Sequence, residues 1–364
     1  MVRISAFPAG VTGQGNPYFT LCHAALAKRG ILVADDLDID PRWLRARAGS
    51  VDALHFHWPE RYWRRGRFGG SSRMRRAMLA SHRLLRLSRF IRAARSRGMR
   101  ALWTVHNLAP HEGAYRWDRY GYRLLARECD LVICHSQSAA RDVRHEYRPR
   151  GQVIVMPIGD PAAVHPPARP RAEVLTGLTL DPGRPVVSCV GRLREYKGLD
   201  LACAAVQRLA GRVQLIVGGP RHADYDIDRL RDDVARTPGG VLIDRPLSDQ
   251  EFADITAASD AVLLPYRAIT GSSALLAALG FGRGVVVSDL PYFREILSGE
   301  PDAGLVVRGW SADDWAQAID DYLARPADAR TAAALRVAAR YSWDRCVDPL
   351  VAALNVAAPA EAAS

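Results

Sequence analysis

The second half of the chain alternates short apolar runs with segments of helical periodicity, and this alternation constrains the fold more than any other feature. It predicts strands at residues 186–190, 213–217, 241–244, 261–264 and 285–288, and helices at 199–209, 227–235, 249–258 and 273–280. Runs rich in β-branched residues are typical of strands that are buried on both faces of a parallel sheet. The alternation therefore predicts an α/β domain with a doubly wound parallel sheet.

The first half shows the same alternation less regularly. It predicts strands at residues 2–7, 31–37, 53–56, 101–105, 131–134 and 153–156, and helices at 18–29, about 71–97 and from 139 onward. A chain of 364 residues exceeds what one hydrophobic core usually supports. Prolines between 157 and 170 interrupt helices and central strands, so they indicate a boundary. We predict domains at 1–160 and 173–340, a linker at 161–172, and a helix with a frayed tail at 341–364.

One loop places three basic residues directly after a buried strand and directly before a helix. Gly191 permits a sharp exit from the strand, and Arg192, Arg194 and Lys197 follow. The next helix adds the N–H groups of its first turn and the positive end of its dipole. Ligands of open α/β sheets bind outside the carboxyl ends of the strands, where this loop lies. The loop predicts a diphosphate site, and the alternative is a solvated loop paired with Glu195.

A second loop with anion-binding chemistry leads from a strand into the helix at 273–280. It consists of the small residues Thr270, Gly271, Ser272 and Ser273. Hydroxyl groups and first-turn N–H groups favour a bound anion, whereas an ordinary Ser or Thr cap, the alternative, uses only one hydroxyl group. Backbone suited to contact a nucleotide base is expected at three other strand-end residues, namely Gly218, Gly219 and Arg245.

The order Gly-Arg-Leu, a spacer and Lys-Gly-Leu-Asp over residues 191–200 resembles the donor-phosphate loop of the family-four glycosyltransferases of GT-B fold. The resemblance implies two doubly wound, Rossmann-like domains that face a cleft. The first domain would bind the acceptor, the second a nucleotide sugar, and the last helix would cross back to the first domain. It implies that Arg192 and Lys197 bind the nucleotide diphosphate. It also implies a retaining, metal-independent hexosyltransferase that needs no cofactor besides its nucleotide-sugar substrate.

The chain departs from this family at the expected ribose site. The family has a pair of spaced glutamates just before a Gly-x-Pro-Val-Val strand, and alignment on residues 281–286 puts Ile269 and Ala277 at those positions. Glu295 matches a glutamate that follows the strand in the family, but it is not one of the pair. The ribose contact is therefore unassigned, and the Thr-Gly-Ser-Ser turn is its candidate substitute.

Polar and aromatic residues cluster where strands of the first half end. The run His55-Phe56-His57-Trp58-Pro59-Glu60 suits a polar ligand, or alternatively forms an aromatic cap over the sheet with hydrogen-bonded histidines. Thr-Val-His-Asn with a nearby Pro-His-Glu resembles the acceptor-side loop of the family, which implies that His106 contacts the transferred sugar. A core histidine bonded to backbone is the alternative for His106. The other residues expected on the acceptor side are Gly13, Gln14, Gly15 and Asn16 of the first loop, His57, His111, Glu112 and Ser136.

Residues 61–111 contain fourteen arginines and no Asp or Glu, so they carry more than the whole formal net charge of +11. Basic amphipathic helices with aromatic flanks commonly lie on anionic membranes. Nucleic acid is a weaker candidate partner because no base-reading motif is present, and a solvated basic face is the third interpretation. On the predicted helix, we expect one apolar side formed by Met74, Met78, Leu84, Leu85, Leu87 and Ile91.

Other features of the sequence bear on the cellular location of the protein. The sequence shows no apolar run long enough to span a bilayer and no leader pattern at residues 1–5. Its six cysteines are scattered, without a Cys-x-x-Cys pair, and are interpreted as reduced core residues. We expect a cytoplasmic protein that is peripheral at the inner membrane face.

The predicted reaction moves a hexose from a nucleotide-diphosphate sugar to a glycan or lipid-linked acceptor with retention of configuration, in polysaccharide or glycolipid assembly. A GT-B epimerase or phosphorylase is an alternative, although no lysine that would anchor pyridoxal phosphate is identified. The missing glutamates also allow a non-catalytic protein that binds membranes or nucleic acid. Neither uracil nor guanine has a recognisable sequence signature here.

Overall fold

The computed structural model describes residues 1–10, 17–64, 73–108, 116–223 and 225–355. The chain divides into two compact units, of which the first comprises Met1–Ile158 and Trp343–Ser364, and the second comprises Gly159–Ser342. Each unit is built on a six-stranded sheet whose paired strands are all parallel. The predicted α/β class with two doubly wound sheets is confirmed.

The first sheet has the strand order β2-β1-β3-β4-β5-β6. Its strands are β1 (Val2–Phe7), β2 (Ile31–Ala34), β3 (Ala53–Phe56), β4 (Arg100–Val105), β5 (Leu131–Cys134) and β6 (Gln152–Val155). The helices of this part are α1 (Pro17–Ala27), α2 (Pro41–Arg47), α3 (Glu60–Trp63), α4 (Arg73–Arg95), α5 (Arg116–Glu128) and α6 (Gln137–Tyr147). The core packs α4 and α5 against the sheet through large side chains such as Trp103, Ile91 and Leu125.

The second sheet has the strand order β12-β11-β10-β7-β8-β9. Its strands are β7 (Val186–Val190), β8 (Gln214–Gly218), β9 (Gly240–Ile243), β10 (Ala261–Leu264), β11 (Val285–Ser288) and β12 (Gly304–Val307). The helices are α7 (Arg171–Gly177), α8 (Leu199–Arg208), α9 (Ile227–Ala235), α10 (Asp249–Ala258), α11 (Ser273–Gly280), α12 (Pro291–Leu297), α13 (Ala312–Leu323) and α14 (Ala327–Arg340). Two further helices, α15 (Trp343–Cys346) and α16 (Asp348–Asn355), belong to the first unit.

Residues 161–172, predicted to form the linker, lie within the second unit. Ala162–Val164 forms a 3-10 turn that packs against α11, and α7 already begins at Arg171. The turn is held by Asp160, whose carboxylate accepts a hydrogen bond of 2.8 Å from the Ala162 N–H group. Burial raises the pKa of Asp160 to about 6. The proline-rich segment is therefore a packed part of the second unit.

The prediction that the apolar residues of α4 form one side of the helix is wrong. Leu84, Leu87 and Ile91 are buried in the core, whereas Met74, Met78 and Leu85 are 72%, 65% and 50% exposed. At 100° per residue, the centres of these two sets are about 130° apart around the helix. The apolar residues therefore form two separate sets, of which one packs on the sheet and the other faces solvent.

All six cysteines are reduced and buried, as expected from their apolar neighbours. Burial raises the pKa of each thiol, which keeps the sulfur protonated and unreactive. Among the helices that the structure describes, none combines the length and the apolar character needed to cross a membrane.

Candidate active site

Histidines from three adjacent strands of the first sheet meet near the carboxyl ends of those strands. His57 follows β3, His106 follows β4 and His135 follows β5, while His55 lies within β3. The rings of His57 and His106 have centroids 5.2 Å apart, and those of His106 and His135 are 5.3 Å apart. Because β3, β4 and β5 are neighbours in the sheet, consecutive strand ends place these imidazoles side by side. We call these four residues the histidine cluster.

Hydrogen bonds fix the cluster. His57 Nδ1 and His106 Nε2 are 2.9 Å apart, so one of the two nitrogens donates to the other. His55 Nε2 lies 2.7 Å from Thr104 Oγ1, and His135 Nδ1 donates to the Met156 carbonyl at 2.9 Å. The His135 bond is the core-histidine arrangement that the sequence left open for His106.

Burial is the main reason that the cluster is neutral. It lowers the pKa of His55 to about 3 and of His135 to about 4, and it lowers the pKa of His57 and His106 well below 6.5. Neighbouring imidazoles add like-charge repulsion for His55, His57 and His106. Among the described residues, the buried Nε2 atoms of His57 and His135 have no hydrogen-bond partner, so a proton added there would lack an acceptor.

The predicted acceptor-side residues divide into three groups. His106 is partly exposed, as a sugar contact requires. His57 is only 1% exposed and holds the His106 ring through the hydrogen bond between them. Ser136 is buried and caps α6 by accepting a hydrogen bond from the Ala139 N–H group at 3.0 Å. Gly13, Gln14, Gly15, Asn16, His111 and Glu112 lie outside the described residues.

In the second unit, a glycine follows each of two neighbouring strands, β7 and β8. Gly191 follows β7 with φ +105°, and Gly219 follows β8 with φ +141°, which L side chains rarely adopt. The Gly191 N–H group donates to the Gly218 carbonyl at 2.9 Å. A Cβ at Gly219 would clash with the Gly191 carbonyl oxygen. Glycine is therefore favoured at both positions by the positive φ, and at Gly219 also by the close approach of the two strand ends.

Lys197 lies beside this glycine pair and is 8% exposed. An ideal Cβ at Gly191 would be 3.2 Å from Lys197 Nζ, and Nζ is 5.6 Å from the centre of the Tyr266 ring. Burial lowers the pKa of Lys197 to about 8, with smaller contributions from Arg194 and Arg192. The aromatic face compensates only part of the lost hydration. The charged Lys197 ammonium group is therefore held near the carboxyl end of β7 at a cost in folding free energy.

Within the described part of the chain, neither Lys197 nor Arg192 forms an ion pair with a carboxylate. The proposed alternative, pairing with Glu195, is therefore not what the structure shows for these two residues. The choice of side chain is also informative, since only two of the 50 basic Lys and Arg residues are lysines, Lys28 and Lys197. Lysine is a compact cation whose pKa shifts readily on burial, whereas arginine stays charged.

The turn before α11 is joined to the Lys197 loop through the exit of β10. The Arg267 N–H group donates to the Tyr196 carbonyl at 2.7 Å, and the Arg267 guanidinium group pairs with Asp200 at 3.0 Å. Ser272 caps α11 by accepting from the Leu275 N–H group at 3.2 Å and also interacts with the Tyr266 hydroxyl group. The cap interpretation thus holds for Ser272, while Thr270, Gly271 and Ser273 stay predicted donor contacts. Nothing in the sequence singled out Tyr266.

The last two predicted donor-side residues follow two other strands of the same sheet, β9 and β11. Arg245 follows β9 and forms a two-point ion pair with Glu251, at 2.5 and 3.0 Å. Glu251 also completes the capping box of α10, so the Arg245 guanidinium group is already engaged. Glu295 is half-buried on α12, which follows β11. All predicted donor-side residues therefore lie in the segments that follow β9, β8, β7, β10 and β11.

No group of three or more His, Cys, Asp or Glu side chains is placed to hold a metal ion among the described residues. Positive charge at this edge comes from the side chains of Lys197 and Arg192, and the first-turn N–H groups of α8 and α11 add hydrogen-bond donors at the positive ends of the helix dipoles.

Residues 184–325 match the family described as glycosyl transferases group 1. The match contains the glycine pair, Lys197, Ser272 and Glu295. Residues 184–325 are a glycosyltransferase group 1 domain. The resemblance to GT-B glycosyltransferases that the sequence predicted is thereby confirmed, and it extends beyond this group 1 domain.

Curated relatives include D-inositol 3-phosphate glycosyltransferases. That of Mycobacteroides abscessus is 29% identical over 321 residues, which are 85% of this chain and 67% of the relative. That of Stackebrandtia nassauensis is 30% identical over 259 residues, which are 67% of this chain and 58% of the relative.

Similar solved structures confirm the fold outside the group 1 domain. Sucrose-phosphate synthase of Thermosynechococcus elongatus has a TM-score of 0.72 and 17% identity, and the match covers 98% of this chain and 99% of that one. HepE of Anabaena, solved in complex with UDP, has a TM-score of 0.74 and 16% identity, with coverage of 98% and 100%. At this identity the likeness shows the fold alone, which is of GT-B type.

Proposed function

We propose that this protein transfers a hexose from a nucleotide-diphosphate sugar to a glycan or lipid-linked acceptor, with retention of configuration and without a metal ion. The observation that carries the proposal is Lys197, a buried ammonium group beside Gly191 that pairs with no carboxylate of the described residues. A buried cation without an anion is costly, so such a group is expected where an anion binds.

A departing nucleotide diphosphate has the chemistry that this edge can stabilise. Negative charge grows on the diphosphate as the bond to the sugar breaks, and preorganised cations and N–H groups lower the energy of that state. Lys197 and Arg192 supply the positive charge that a metal ion supplies in other enzymes. The glycines at 191 and 219 let the phosphates approach the backbone closely.

The relatives and structural neighbours suggest which donors to test first. HepE of Anabaena was solved in complex with UDP-glucose, so UDP-glucose is the first donor to assay. GDP-sugars are the second, since the sequence distinguishes neither base. The D-inositol 3-phosphate glycosyltransferases suggest a phosphorylated cyclitol as a soluble acceptor to compare with lipid-linked ones.

Calorimetric titration with UDP and GDP tests the donor side. Binding of at least one nucleotide is expected in the wild type, and loss of that binding in Lys197→Met and Arg192→Ala. Turnover of each variant should fall by about one to three orders of magnitude, as on removal of a transition-state charge partner. Lys28→Met and Arg208→Ala are the matched controls, because both side chains are exposed, Lys28 belongs to the first unit and Arg208 lies at the C-terminal end of α8.

Two results would contradict this proposal. If neither nucleotide binds the wild-type protein, a non-catalytic role on the GT-B fold is favoured. If activity disappears on addition of a chelator and returns with a divalent cation, the metal-independent mechanism is wrong. Analysis of the product anomer by NMR decides between retention and inversion.

The exposed face of α4 supports a lipid-linked acceptor. Met74, Met78 and Leu85 face solvent, and Arg86 and Arg89 of the same helix are also exposed. Arg92, by contrast, is engaged with Glu128. Basic residues near an anionic bilayer contribute about 1 kcal/mol each, and methionine and leucine side chains can enter the interface. We infer attachment to the inner face of the cytoplasmic membrane, in polysaccharide or glycolipid assembly.

Sedimentation with liposomes tests this attachment. Binding to liposomes with anionic lipid should exceed binding to neutral ones, weaken with added salt, and fall in the double variant Arg86→Glu/Arg89→Glu. The double variant Arg127→Glu/Arg141→Glu, with the same charge change on α5 and α6, should bind like the wild type. Equal binding to neutral and anionic liposomes, or none to either, would favour a soluble acceptor.

A further inference from the structure

A small cavity lies at the carboxyl ends of β3 and β4, beside the histidine cluster. Its volume is about 10 Å³, which is room for one water molecule. Trp58, Glu60, His106, Asn107 and Tyr122 contribute to its lining. All of these except Tyr122 are partly exposed, so the lining reaches the protein surface.

Trp58 has an unusual backbone conformation, with φ +40°. Bulky residues rarely adopt positive φ, and the strain is kept only where surrounding contacts fix it. Here the indole packs edge-on against Phe19, with ring centres 5.2 Å apart, and lies at 35° to the His106 ring, with centres 5.0 Å apart. The strained turn thus presents the indole at the wall of the cavity.

Glu60 supplies the carboxylate of the cavity, and no basic side chain of the described residues forms an ion pair with it. Its Oε2 accepts a hydrogen bond of 3.2 Å from the Tyr122 hydroxyl group. Arg64, one turn further along the chain, is instead engaged by Asp118, with Nε 2.9 Å from Oδ1. Burial raises the pKa of Glu60. The carboxylate therefore has hydrogen-bonding capacity left for a neutral donor such as a hydroxyl group.

We propose that Trp58, Glu60 and Asn107 form the acceptor subsite, and that this subsite takes a neutral polyhydroxylated ring, either a sugar or a cyclitol. The proposal rests on the function proposed above. The cavity is too small for a ring, so one ring hydroxyl enters it and donates a hydrogen bond to the Glu60 carboxylate. The apolar C–H face of the ring lies against the Trp58 indole, and a second hydroxyl bonds to the Asn107 amide.

The charge of the cavity excludes another occupant at this point. A phosphate group placed next to Glu60 would be repelled by its carboxylate, because the neighbouring cation, Arg64, is engaged by Asp118. An acceptor that carries a phosphate or diphosphate therefore places it elsewhere and offers its hydroxylated ring here.

Saturation-transfer NMR in the presence of UDP or GDP tests the subsite with three probes: methyl α-D-glucoside, methyl α-D-mannoside and myo-inositol. At least one ring should bind the wild type. Its Kd should rise about tenfold in Trp58→Leu, from loss of the aromatic contact, and at least about tenfold in Glu60→Gln, which keeps the shape but loses the charged acceptor. Trp310→Leu and Glu173→Gln, at exposed positions of the second unit, should leave the Kd unchanged.

The outcomes separate this proposal from the one before it. If none of the three rings binds, or if both site variants bind as tightly as the wild type, the subsite is refuted. The same holds if inorganic phosphate displaces the ring at equal concentration. Nucleotide binding is measured separately by calorimetry in the same samples. If the nucleotide binds and no ring binds, only the subsite proposal fails. If the nucleotide does not bind, the donor-side proposal fails.

Discussion

Replacement of Lys197 by methionine should stabilise the second unit while it weakens nucleotide binding. Burial lowers the pKa of Lys197 from 10.5 to about 8. A difference of about 2.5 pKa units corresponds to roughly 3 kcal/mol, at about 1.4 kcal/mol per unit. This free energy is the cost of holding the ammonium group charged without an anion. Methionine has similar length and no charge, so the free energy of unfolding at pH 7 should rise by up to about 3 kcal/mol.

The pH dependence of stability reports the same quantity. The folded pKa lies below the unfolded one, so the folded state binds fewer protons than the unfolded state between pH 8 and 10.5. The free-energy cost of burying charged Lys197 is fully present below about pH 8 and disappears as the pH rises from 8 to 10.5. The wild-type protein should therefore gain stability above pH 8 from this group, and Lys197→Met should lack that gain.

Urea unfolding of both proteins at pH 7 and pH 9.5, with and without UDP or GDP, makes the comparison. The nucleotide should raise the midpoint of the wild type by mass action and leave that of Lys197→Met unchanged. Lys28→Met serves as control because Lys28 is exposed and paired with Asp344 at 3.0 Å. A destabilised Lys197→Met that still responds to the nucleotide would refute the argument, because the ammonium group would then be a structural one.

Acid should destabilise the first unit through His135. Its pKa is about 4 in the folded state and near 6.5 in the unfolded state. The unfolded state therefore takes up the proton first, and stability is lost as the pH falls below 6.5. At pH 5 the loss should be about 2 kcal/mol per such imidazole; urea unfolding at pH 7.5 and 5 should show a smaller loss for His135→Gln than for the exposed His145→Gln. Gly219→Ala should destabilise the second unit by about 2 kcal/mol or more, since it combines strained φ with a backbone clash. Gly177→Ala, where no atom lies within 4 Å of the new Cβ, should not be destabilising in the same thermal melt. Arg245→Ala should reduce nucleotide affinity, measured by calorimetry, less than Lys197→Met does, because Glu251 already engages Arg245.

The sequence predicted the sheets and the Lys197 loop because both depend on local patterns. A β-branched run that ends in glycine, basic residues and a helix start has few other structures available, and the strand ends then meet at one edge. The order of strands in the sheet, and hence which loops are neighbours, came only from the structure.

Other features depended on tertiary contacts. The apolar residues of α4 were assigned to one side, although 100° steps already separate the set of Leu84, Leu87 and Ile91 from the set around Met74 by about 130° on average. Which set packs on the sheet then required the structure. The burial of His57 was equally open, because a polar residue at a strand end can point to solvent or to the core. The positive φ of Trp58 has no sequence signal, since tryptophan is not expected in that conformation.

The return of the chain to the first unit has a consequence for synthesis on the ribosome. Trp343 of α15 packs edge-on against Tyr18, with ring centres 5.3 Å apart, and Tyr18 in turn contacts the His106 ring. The nascent chain therefore contains every residue of the second unit before it contains this tryptophan. The aromatic contact behind Tyr18 forms only after residues 159–342 have been synthesised, so the unit that is begun first is the one that is completed last.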